Sequence, residues 1–312
     1  MRSILNIILA KGNKGSISIQ ETRNFYLFIS PMLIGFIVFT AYPLIFSFIL
    51  SFSEWDLMSP YKFVGLSNYI RIFTRDRFFL KSLSVTFKFA AMSVPLNLIA
   101  AFLVALLMNS KVKGIGIFRT IWYSPAVTPA VAASVLWMAI FNYRYGLINR
   151  VLALFGVRGP NWLWDEKWVL PAFVIMGLWG VGGSMVIYLA ALQGVPQDLY
   201  DAAEIDGANS WWKFRAITIP MVSPALFYNL VMGVIGTLQY FTNAFIMTGG
   251  GPNNTTLFYA LYLYRNAFEY MRMGYGSALA WIFFAIAMAS TVLVFRSSPL
   301  WVFYEYTTEV EG

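Results

Sequence analysis

The sequence predicts an all-α membrane protein, a polytopic bundle of six transmembrane helices with a helix-turn-helix between the fourth and fifth spans. Hydrophobic residues make up 59% of the 312 residues and charged residues only 12%, which is outside the balance of soluble globular domains. Six apolar runs are long enough to cross a membrane as helices. One polar block, DLYDAAEIDGANSWWKFRAITIP at 198–220, separates two of these runs.

Each predicted span is an apolar run of at least about 17 residues that contains few charges. The first run lacks the small-residue cleavage site of a signal peptide, so we expect it to remain as a span. Prolines inside the runs are tolerable where neighbouring helices satisfy the freed carbonyl groups, which predicts a packed bundle. The spans are predicted at about 25–50, 82–108, 117–141, 169–193, 221–246 and 277–295.

The residue types present exclude several classes of chemistry. The chain has no cysteine and no histidine, so disulfides, thiolate metal sites, the common zinc sites and Ser-His triads lack their parts. A net charge of +8 is typical, in a protein with several spans, of loops that face anionic lipid headgroups. We therefore expect membrane lipid but no nucleic acid as a partner, and no metal or cofactor bound by the chain.

Loop charge alone does not decide the orientation, because lysine and arginine are nearly equally divided between the two sets of loops. The first helix usually sets the topology, and Arg2, Lys11, Lys14 and Arg23 precede it. These residues favour a cytoplasmic N-terminal segment at 1–24. With six spans, the tail at 297–312 is then expected on the same side.

The polar block is expected to begin with a short helix after Pro196. Gly207 can end this helix, because glycine adopts the left-handed conformation of a C-terminal cap without strain. An acidic stripe runs beside an apolar one, formed by Asp198, Asp201 and Glu204 beside Leu199, Ala202 and Ile205.

A second short helix is expected to follow, with Asn209 or Ser210 as its N-cap. Its aromatic residues would face the lipid interface and its basic residues water, until Pro220 stops the helix. These residues are Trp211 and Phe214, and Lys213 and Arg215. By pattern alone the block could be an amphipathic interfacial linker, which is a common meaning of such a sequence.

The spacing of the block resembles the signature of ATP-binding-cassette importer membrane subunits. That signature is an acidic residue, two alanines, three free positions, glycine, nine free positions, isoleucine, one free position, leucine and proline. Two positions differ conservatively, since Asp201 replaces glutamate and Ile219 replaces leucine. The matching positions are Ala202, Ala203, Gly207, Ile217 and Pro220.

The resemblance extends over roughly 25–296. The run ISPMLIGFIVFTAYPLIFSFILSFSEWDL is similar to the first span of carbohydrate-importer permeases, and FVGLSNYIRIF to the loop that follows it. The stretch MTGGGPNNTT at 247–256 is similar to their Gly-Gly-Pro loop. The chain resembles the family that includes the maltose and glycerol-phosphate permease subunits.

The resemblance implies that the block is a cytoplasmic coupling loop at 196–220 that docks on an ATPase. It also implies partners: two ATPase subunits, a second homologous permease in a heterodimer, an extracytoplasmic solute-binding protein and a sugar substrate. The chain would lie in the bacterial cytoplasmic membrane, with both termini cytoplasmic. No G-x-x-x-x-G-K-[ST] occurs, so ATP and Mg would belong to the ATPase subunits and the chain would not be an enzyme. The coupling residues would be Asp201, Ala202, Ala203, Glu204, Gly207, Ile217 and Pro220.

A cargo site is expected as polar or aromatic groups deep in the spans. The fifth span has the same length as in the maltose permease subunit, and that match supplies most of the candidates, with Asn243 added as a polar residue. Trp179 and Tyr240 could stack on a sugar while Thr237 donates or accepts a hydrogen bond, although the glycines could equally serve tight helix packing. The candidates are Trp179, Gly180, Gly183, Gly233, Gly236, Thr237, Tyr240 and Asn243.

Two other functions are open to a chain of this composition. A proton- or ion-coupled carrier would need acidic residues or histidine inside the spans, and the predicted spans contain none. A membrane-embedded enzyme would need an acid-base pair, which the spans also lack.

Three tryptophans stand just before the fourth predicted span. Trp162, Trp164 and Trp168 are typical of an aromatic belt at the membrane interface beside an extracytoplasmic loop. The same loop could contact a binding protein.

Overall fold

The computed structural model describes residues 19–110 and 112–303. Most of the expected N-terminal segment, 1–18, and the end of the expected tail, 304–312, lie outside the described residues. Among the described residues, four helices are long and apolar enough to cross a membrane: Arg23–Ser51, Arg77–Met108, Ser210–Met247 and Met273–Leu300. Two bent helix pairs raise the number to six if each pair is one span. The bundle is all-α, as predicted, apart from one short pair of strands.

The first span consists of α1 (Ile19–Phe36) and α2 (Tyr42–Ser51), joined by a turn of π-helix at Ile37–Ala41. The N–H of Tyr42 bonds to the carbonyl of Ile37, one residue further back than in an α-helix. Pro43 follows directly and has no N–H to donate. The π turn therefore continues the helix through the proline.

A long connection leads from the first span to the second. It contains β1 (Ser53–Glu54), paired antiparallel with β2 (Lys62–Phe63), and then α3 (Ser67–Arg75). The second span is α4 (Arg77–Met108), whose N-cap is Asp76.

The third span is not the single helix that the sequence predicted at 117–141. It consists of α5 (Ile115–Tyr123), a 3-10 turn (Ser124–Val127) and α6 (Ala130–Ile140), and the two α-helices differ in direction by 101°. Thr128, which precedes Pro129, is extended at ψ 128°. A residue before proline is pushed out of the helical region, so Pro129 forces the break. The short helix α7 (Leu147–Leu154) follows.

The fourth span, predicted as one helix at 169–193, is also broken. Helices α8 (Val169–Trp179) and α9 (Gly182–Gln193) differ in direction by 48°. A Cβ on Gly182 would lie 2.2 Å from the carbonyl oxygen of Trp122. Glycine is required there because the fourth span packs directly on the backbone of the broken third span.

The polar block forms α10 (Gln197–Ile205) and α11 (Ser210–Lys213), and α11 continues without interruption into the fifth span. The prediction that Pro220 stops the second helix is wrong. A π turn at Phe214–Thr218 leads into α12 (Ile219–Leu238), with the N–H of Ile219 bonded to the carbonyl of Phe214. A π turn also precedes Pro43, and here the turn accommodates Pro220 inside the helix.

The last elements of the described structure form the connection to the sixth span and the sixth span itself. After α12 come α13 (Thr242–Met247), α14 (Tyr259–Tyr264), a π turn (Arg265–Glu269), α15 (Met273–Ser297) and a 3-10 turn (Ser298–Leu300). The connections 52–76, 142–168 and 248–272 contact one another, and we call that end of the bundle the long-loop end. Residues 109–114 and 194–209 lie at the opposite, short-loop end.

Two apolar clusters hold the bundle together. The larger lies towards the long-loop end and includes Phe89, Phe141, Phe173, Phe258 and Tyr259. The smaller lies towards the short-loop end, between the second, fourth and fifth spans, and includes Ala101, Ala105, Met185, Tyr188 and Val222.

Candidate functional site

The first helix of the polar block ends as predicted, in a left-handed glycine cap. Gly207 has φ +77°. Its N–H donates to the carbonyl of Glu204 at 3.0 Å, and the N–H of Ala208 donates to that of Ala203 at 2.9 Å. This pair of bonds is the Schellman motif, which satisfies the last carbonyls of a helix.

Asn209 rather than Ser210 caps the second helix. Its Oδ1 accepts the N–H of Trp212 at 2.8 Å. Lys213 was expected to face water, but its Nζ lies 3.0 Å from Oε2 of Glu204 and only 21% of its side chain is exposed. The ion pair joins the two helices across the turn, although a pair with one exposed partner contributes at most about 1 kcal/mol.

The coupling residues predicted by resemblance lie on both sides of α10. Ala203 is buried against the bundle, while Asp201, Ala202, Glu204 and Gly207 are exposed. Ile217 and Pro220 are half-buried in the π turn and the start of α12. The apolar stripe beside the acids is also exposed, with Ile205 at 88%. The short-loop end therefore presents an acidic and apolar surface that no described residue covers.

A cavity of about 250 Å³ lies between the second, fourth and fifth spans. It borders the smaller apolar cluster, since Val181 belongs to that cluster and also lines the cavity. Of the predicted cargo residues, Gly180, Gly233 and Thr237 line it. The other lining residues are Ser93, Val94, Asn97, Leu98, Val181, Ser184, Asn229 and Met232.

Two amides that the sequence analysis did not single out supply hydrogen-bond acceptors to this cavity. Nδ2 of Asn97 donates to the carbonyl of Ser93 at 2.8 Å, and Nδ2 of Asn229 donates to that of Ala225 at 2.9 Å. Neither Oδ1 accepts a hydrogen bond from any described residue. Their signal in the sequence was an amide inside an apolar run, as in PLNLIA and FYNLVM.

The hydroxyl of Thr237 is held by its own helix. It donates to the carbonyl of Gly233 at 2.9 Å, and Val234 offers a second carbonyl at 3.0 Å. Its oxygen still has a lone pair for a ligand. Gly233 lies opposite Val94, whose methyl groups would be 3.6 and 3.9 Å from a Cβ at this position. The glycine thus keeps open the space beside Thr237.

Tyr240 and Asn243 lie outside the cavity, in the larger apolar cluster. Rings of Phe89, Phe173 and Phe258 surround that of Tyr240 at centroid distances of 4.7, 5.7 and 5.0 Å. Nδ2 of Asn243 donates to the Tyr240 hydroxyl at 3.1 Å. Aromatic residues of the protein therefore pack on the tyrosine ring that was predicted to stack on a sugar.

The remaining predicted cargo residues also lie apart from the cavity. Trp179 packs edge-to-face on Trp137 at 6.0 Å. Gly183 and Gly236 have no described residue within 4 Å of a Cβ position, so packing against the described part of the chain does not require glycine at either position.

One acidic residue at the long-loop end ties three helices together. Oδ1 of Asp76 accepts the N–H groups of Phe78 and Phe79 at 2.9 and 3.1 Å, and Oδ2 accepts the hydroxyls of Tyr262 and Tyr275. Burial, and next the hydrogen bond to Asp76, raise the pKa of Tyr262. The cluster joins the second span, α14 and the sixth span, and no local sequence pattern predicts it.

Comparison with known proteins identifies the family. Residues 70–300 match the family described as "Binding-protein-dependent transport system inner membrane component". The chain is 39% identical over 288 residues to the probable ABC transporter permease protein YesP of Bacillus subtilis (strain 168), covering 91% of this chain and 93% of that protein. It is 34% identical over 282 residues to the trehalose/maltose transport system permease protein MalF of Thermococcus litoralis, covering 89% and 94%.

The fold is also that of a solved transporter. A chain in the crystal structure of a bacterial alginate ABC transporter, in complex with an alginate pentasaccharide-bound periplasmic protein, superposes with a TM-score of 0.79. The sequences are 21% identical, and the match covers 90% of this chain and 95% of that one. The family match spans more than half of the chain, and both relatives exceed 30% identity over nearly their whole length. The chain therefore belongs to the binding-protein-dependent transport system inner membrane components, as the permease subunit of an ABC importer rather than an enzyme.

Proposed function

We propose that this permease carries a saccharide across the cytoplasmic membrane by alternating access, through the cavity between the second, fourth and fifth spans. The observation that carries the proposal is the set of acceptors in that cavity, the Oδ1 atoms of Asn97 and Asn229 and the hydroxyl of Thr237. Sugars present many hydroxyl donors, and polar groups inside a membrane span are costly unless they have a function.

The named relatives support a saccharide as the substrate class. The Thermococcus litoralis relative is named as a trehalose/maltose transport permease. The transporter that shares the fold is described with an alginate pentasaccharide-bound periplasmic protein. Gly180, Gly233 and Thr237 line the cavity in this structure. In the proposed cycle the other predicted cargo residues would line the path in a different state: Trp179, Gly183, Gly236, Tyr240 and Asn243.

We further propose that the coupling segment, residues 196–220, docks on an ATPase at the short-loop end. The exposed acidic residue Asp201 would make a polar contact, and the exposed Ala202 lets the partner approach closely. Ala203, Glu204, Gly207, Ile217 and Pro220 would hold the shape of the segment. This end would then be cytoplasmic, together with both termini, and the unit at 25–296 would be the transmembrane domain.

The proposed assembly has two ATPase subunits, a second homologous permease and an extracytoplasmic binding protein. ATP and Mg would be held by the ATPase subunits. A separate partner is supported by the exposed acidic and apolar surface of α10, which has no cover within the described residues.

The test is reconstitution of the chain with the products of its neighbouring genes in proteoliposomes. We expect uptake of a saccharide that requires ATP inside and the binding protein outside. Uptake that survives ATP depletion but disappears with the proton gradient would instead indicate a secondary carrier. Failure to recover any ATPase with the chain, or chemical conversion of a lipid or peptide by the isolated chain, would also contradict the proposal.

The central cavity has its own variant in the same assay. Asn229→Leu removes an acceptor and adds apolar volume inside the cavity. We expect it to reduce uptake at least about 10-fold, because the saccharide hydroxyl is left without a partner. Tyr228→Leu, one residue earlier on the exposed face of α12, is the matched control.

A further inference from the structure

A second cavity, of about 390 Å³, opens at the long-loop end where the third span ends. Its volume falls in the range of about 300–1,000 Å³ that is typical of small-molecule sites. It shares no lining residue with the central cavity. Its lining residues include Phe141, Asn142, Tyr143, Arg144, Tyr145 and Trp164.

Three large aromatic side chains at this cavity are exposed rather than packed. Tyr143, Tyr145 and Trp164 are 45%, 60% and 63% exposed. Trp164 was predicted to lie in an interfacial belt with Trp162, but Trp162 is buried and packs on Phe141 with ring centroids 5.7 Å apart. Trp164 instead borders a concave site that also holds amides and a guanidinium. Exposed rings beside such groups are suited to saccharides, whose rings have apolar faces and polar rims.

An adjoining cavity adds positive charge. It also has a volume of about 390 Å³ and shares Tyr143 and Arg144 with the first. Arg150 and Arg158 line it as well. Within residues 19–110 and 112–303, no carboxylate lies within ion-pair distance of any of these three guanidinium groups. Arginine binds carboxylates through paired, charge-assisted hydrogen bonds, so the combined site favours a ligand that carries carboxylates.

Asn149 fixes the walls of both cavities relative to each other. Its Nδ2 donates to the carbonyls of Tyr143 at 3.2 Å and Pro160 at 3.1 Å, and its Oδ1 accepts Nε1–H of Trp162 at 2.7 Å. A Cβ on Gly159 would lie 2.0 Å from that Oδ1, so a side chain at this position would displace the amide from its three hydrogen bonds. The loops that contain Tyr143 and Pro160 are therefore held in place before any ligand binds, which lowers the entropy cost of binding.

The backbone that carries Arg144 is held separately. Oδ1 of Asn142 accepts the N–H groups of Arg144 at 3.0 Å and Tyr145 at 3.2 Å. Gly146 closes the same turn, since a Cβ there would lie 2.3 Å from the carbonyl oxygen of Asn142. Arg144 and Tyr145 thus leave a fixed turn towards the cavity that they line.

We propose that these adjoining cavities form a binding site for an acidic oligosaccharide at the long-loop end. Sugar rings would lie against Trp164 and Tyr143, and uronate carboxylates would pair with Arg144, Arg150 and Arg158. The proposal rests on the proposed function, and it narrows the substrate class to saccharides that carry carboxylates. With the coupling segment on the cytoplasmic side, this site faces outwards and holds the substrate before the central cavity receives it.

The test uses the assembled transporter, with its ATPases and second permease, in lipid nanodiscs without the binding protein. The probes are trigalacturonate and the neutral maltotriose, with binding measured by calorimetry. We expect trigalacturonate to bind at least about 10-fold more tightly, because charge-assisted hydrogen bonds to carboxylate are lost with the neutral sugar. Arg144→Gln should weaken trigalacturonate about 10-fold, and Trp164→Leu should weaken both saccharides. Arg75→Gln, at a different basic pocket of the same end, should change neither.

The outcomes separate this site from the central cavity. Equal affinity for the two probes, or equal effects of Arg144→Gln and Arg75→Gln, would overturn the proposal. So would a loss confined to stimulation of ATP hydrolysis by the binding protein, since the loops would then be a docking surface. Thr237→Leu should abolish uptake and leave trigalacturonate binding intact. If the wild-type transporter imports no saccharide but still binds trigalacturonate, the proposal of saccharide transport is wrong and the proposal of an acidic oligosaccharide site is kept.

Discussion

The phenol oxygen of Tyr200 lies 2.9 Å from Oγ1 of Thr218, and this hydrogen bond joins α10 to the beginning of the fifth span. Thr218 is buried, in the π turn that leads into α12. The ion pair between Lys213 and Glu204 makes a second connection between the same two elements. A force applied to α10 by a partner would therefore reach the fifth span, which lines the central cavity, without passing through a flexible linker.

Tyr200→Phe tests this connection. The variant keeps the ring and removes the hydroxyl, and the net contribution of such a hydrogen bond is about 1 kcal/mol. We expect ATP-driven uptake to fall about fivefold while ATP hydrolysis by the assembly changes less, since the ATPase still binds. The measurement is the ratio of substrate imported to ATP hydrolysed in proteoliposomes. Tyr228→Phe, on an exposed face of α12, is the control, and an equal ratio in both variants would count against mechanical transmission through Tyr200.

Gly207→Val should disrupt the coupling segment by strain. At φ +77° a β-branched side chain costs about 1–2 kcal/mol, and the Schellman bonds to Glu204 and Ala203 weaken with it. We expect less ATPase to copurify with the variant and uptake to fall about 10-fold. Asparagine tolerates the left-handed conformation, so Gly207→Asn should retain most of both.

Gly194→Ala is the matched control for that experiment. Gly194 also ends a helix beside the coupling segment, but its φ is −82° and a Cβ would make an ordinary contact with Ala191. Wild-type assembly and uptake in Gly207→Val would show that the cap geometry is not needed.

The features that could be predicted from the sequence are those fixed by neighbouring residues. Gly207 and Asn209 act through hydrogen bonds within five residues, so the cap and the turn follow from the local pattern. The break in the third span was missed because proline inside an apolar run is also compatible with a continuous helix. Pro43 and Pro220 are such cases, each preceded by a π turn, whereas Pro129 follows the extended residue Thr128.

Asp76 could not be predicted for a different reason. Its tyrosine partners lie 186 and 199 residues further along the chain, and neither spacing has a local signature. Asn97 and Asn229 were visible as amides in apolar runs, but only the packing of the second span against the fourth and fifth shows that they face one cavity.

Asp76→Ala should destabilise the long-loop end strongly. The change removes an N-cap, worth about 1 kcal/mol, and leaves the buried hydroxyls of Tyr262 and Tyr275 without their acceptor. We expect a loss of about 3 kcal/mol or more, seen as a lower midpoint of thermal unfolding of the purified protein. Asp56→Ala is the control, because Asp56 bonds only within its own exposed turn, to Met58 and Ser59. Similar midpoints for the two variants would show that the tyrosine contacts contribute little.

The same cluster predicts a loss of stability at alkaline pH. Burial, together with the hydrogen bond to Asp76, raises the pKa of Tyr262 above its value of about 10 in an unfolded chain. Because the folded state favours the neutral hydroxyl, this contribution is complete below about pH 10 and is lost as the pH rises further. The midpoint of thermal unfolding should therefore fall more steeply above pH 10 in the wild type than in Tyr262→Phe. If the midpoint fell equally steeply with pH in the wild type and in Tyr262→Phe, ionisation of Tyr262 would not account for the loss of stability.

Variants of Gly233 and Gly236 can distinguish the cavity seen in the structure from the larger site that the resemblance implies. Both were predicted to bind cargo, but only Gly233 lines the cavity, opposite Val94 and beside Thr237, while Gly236 is exposed with nothing within 4 Å of a Cβ position. A leucine at 233 would occupy part of the 250 Å³ cavity that Asn97, Asn229 and Thr237 also line. We expect Gly233→Leu to reduce ATP-driven uptake more than about 10-fold with normal assembly, and Gly236→Leu to reduce it less, because Gly236 would line the path only in a different state of the cycle. The measurement is initial uptake rate per assembled transporter. Loss of uptake in Gly236→Leu alone would place the transport path on the opposite face of the fifth span, and equal losses would extend the path across both faces.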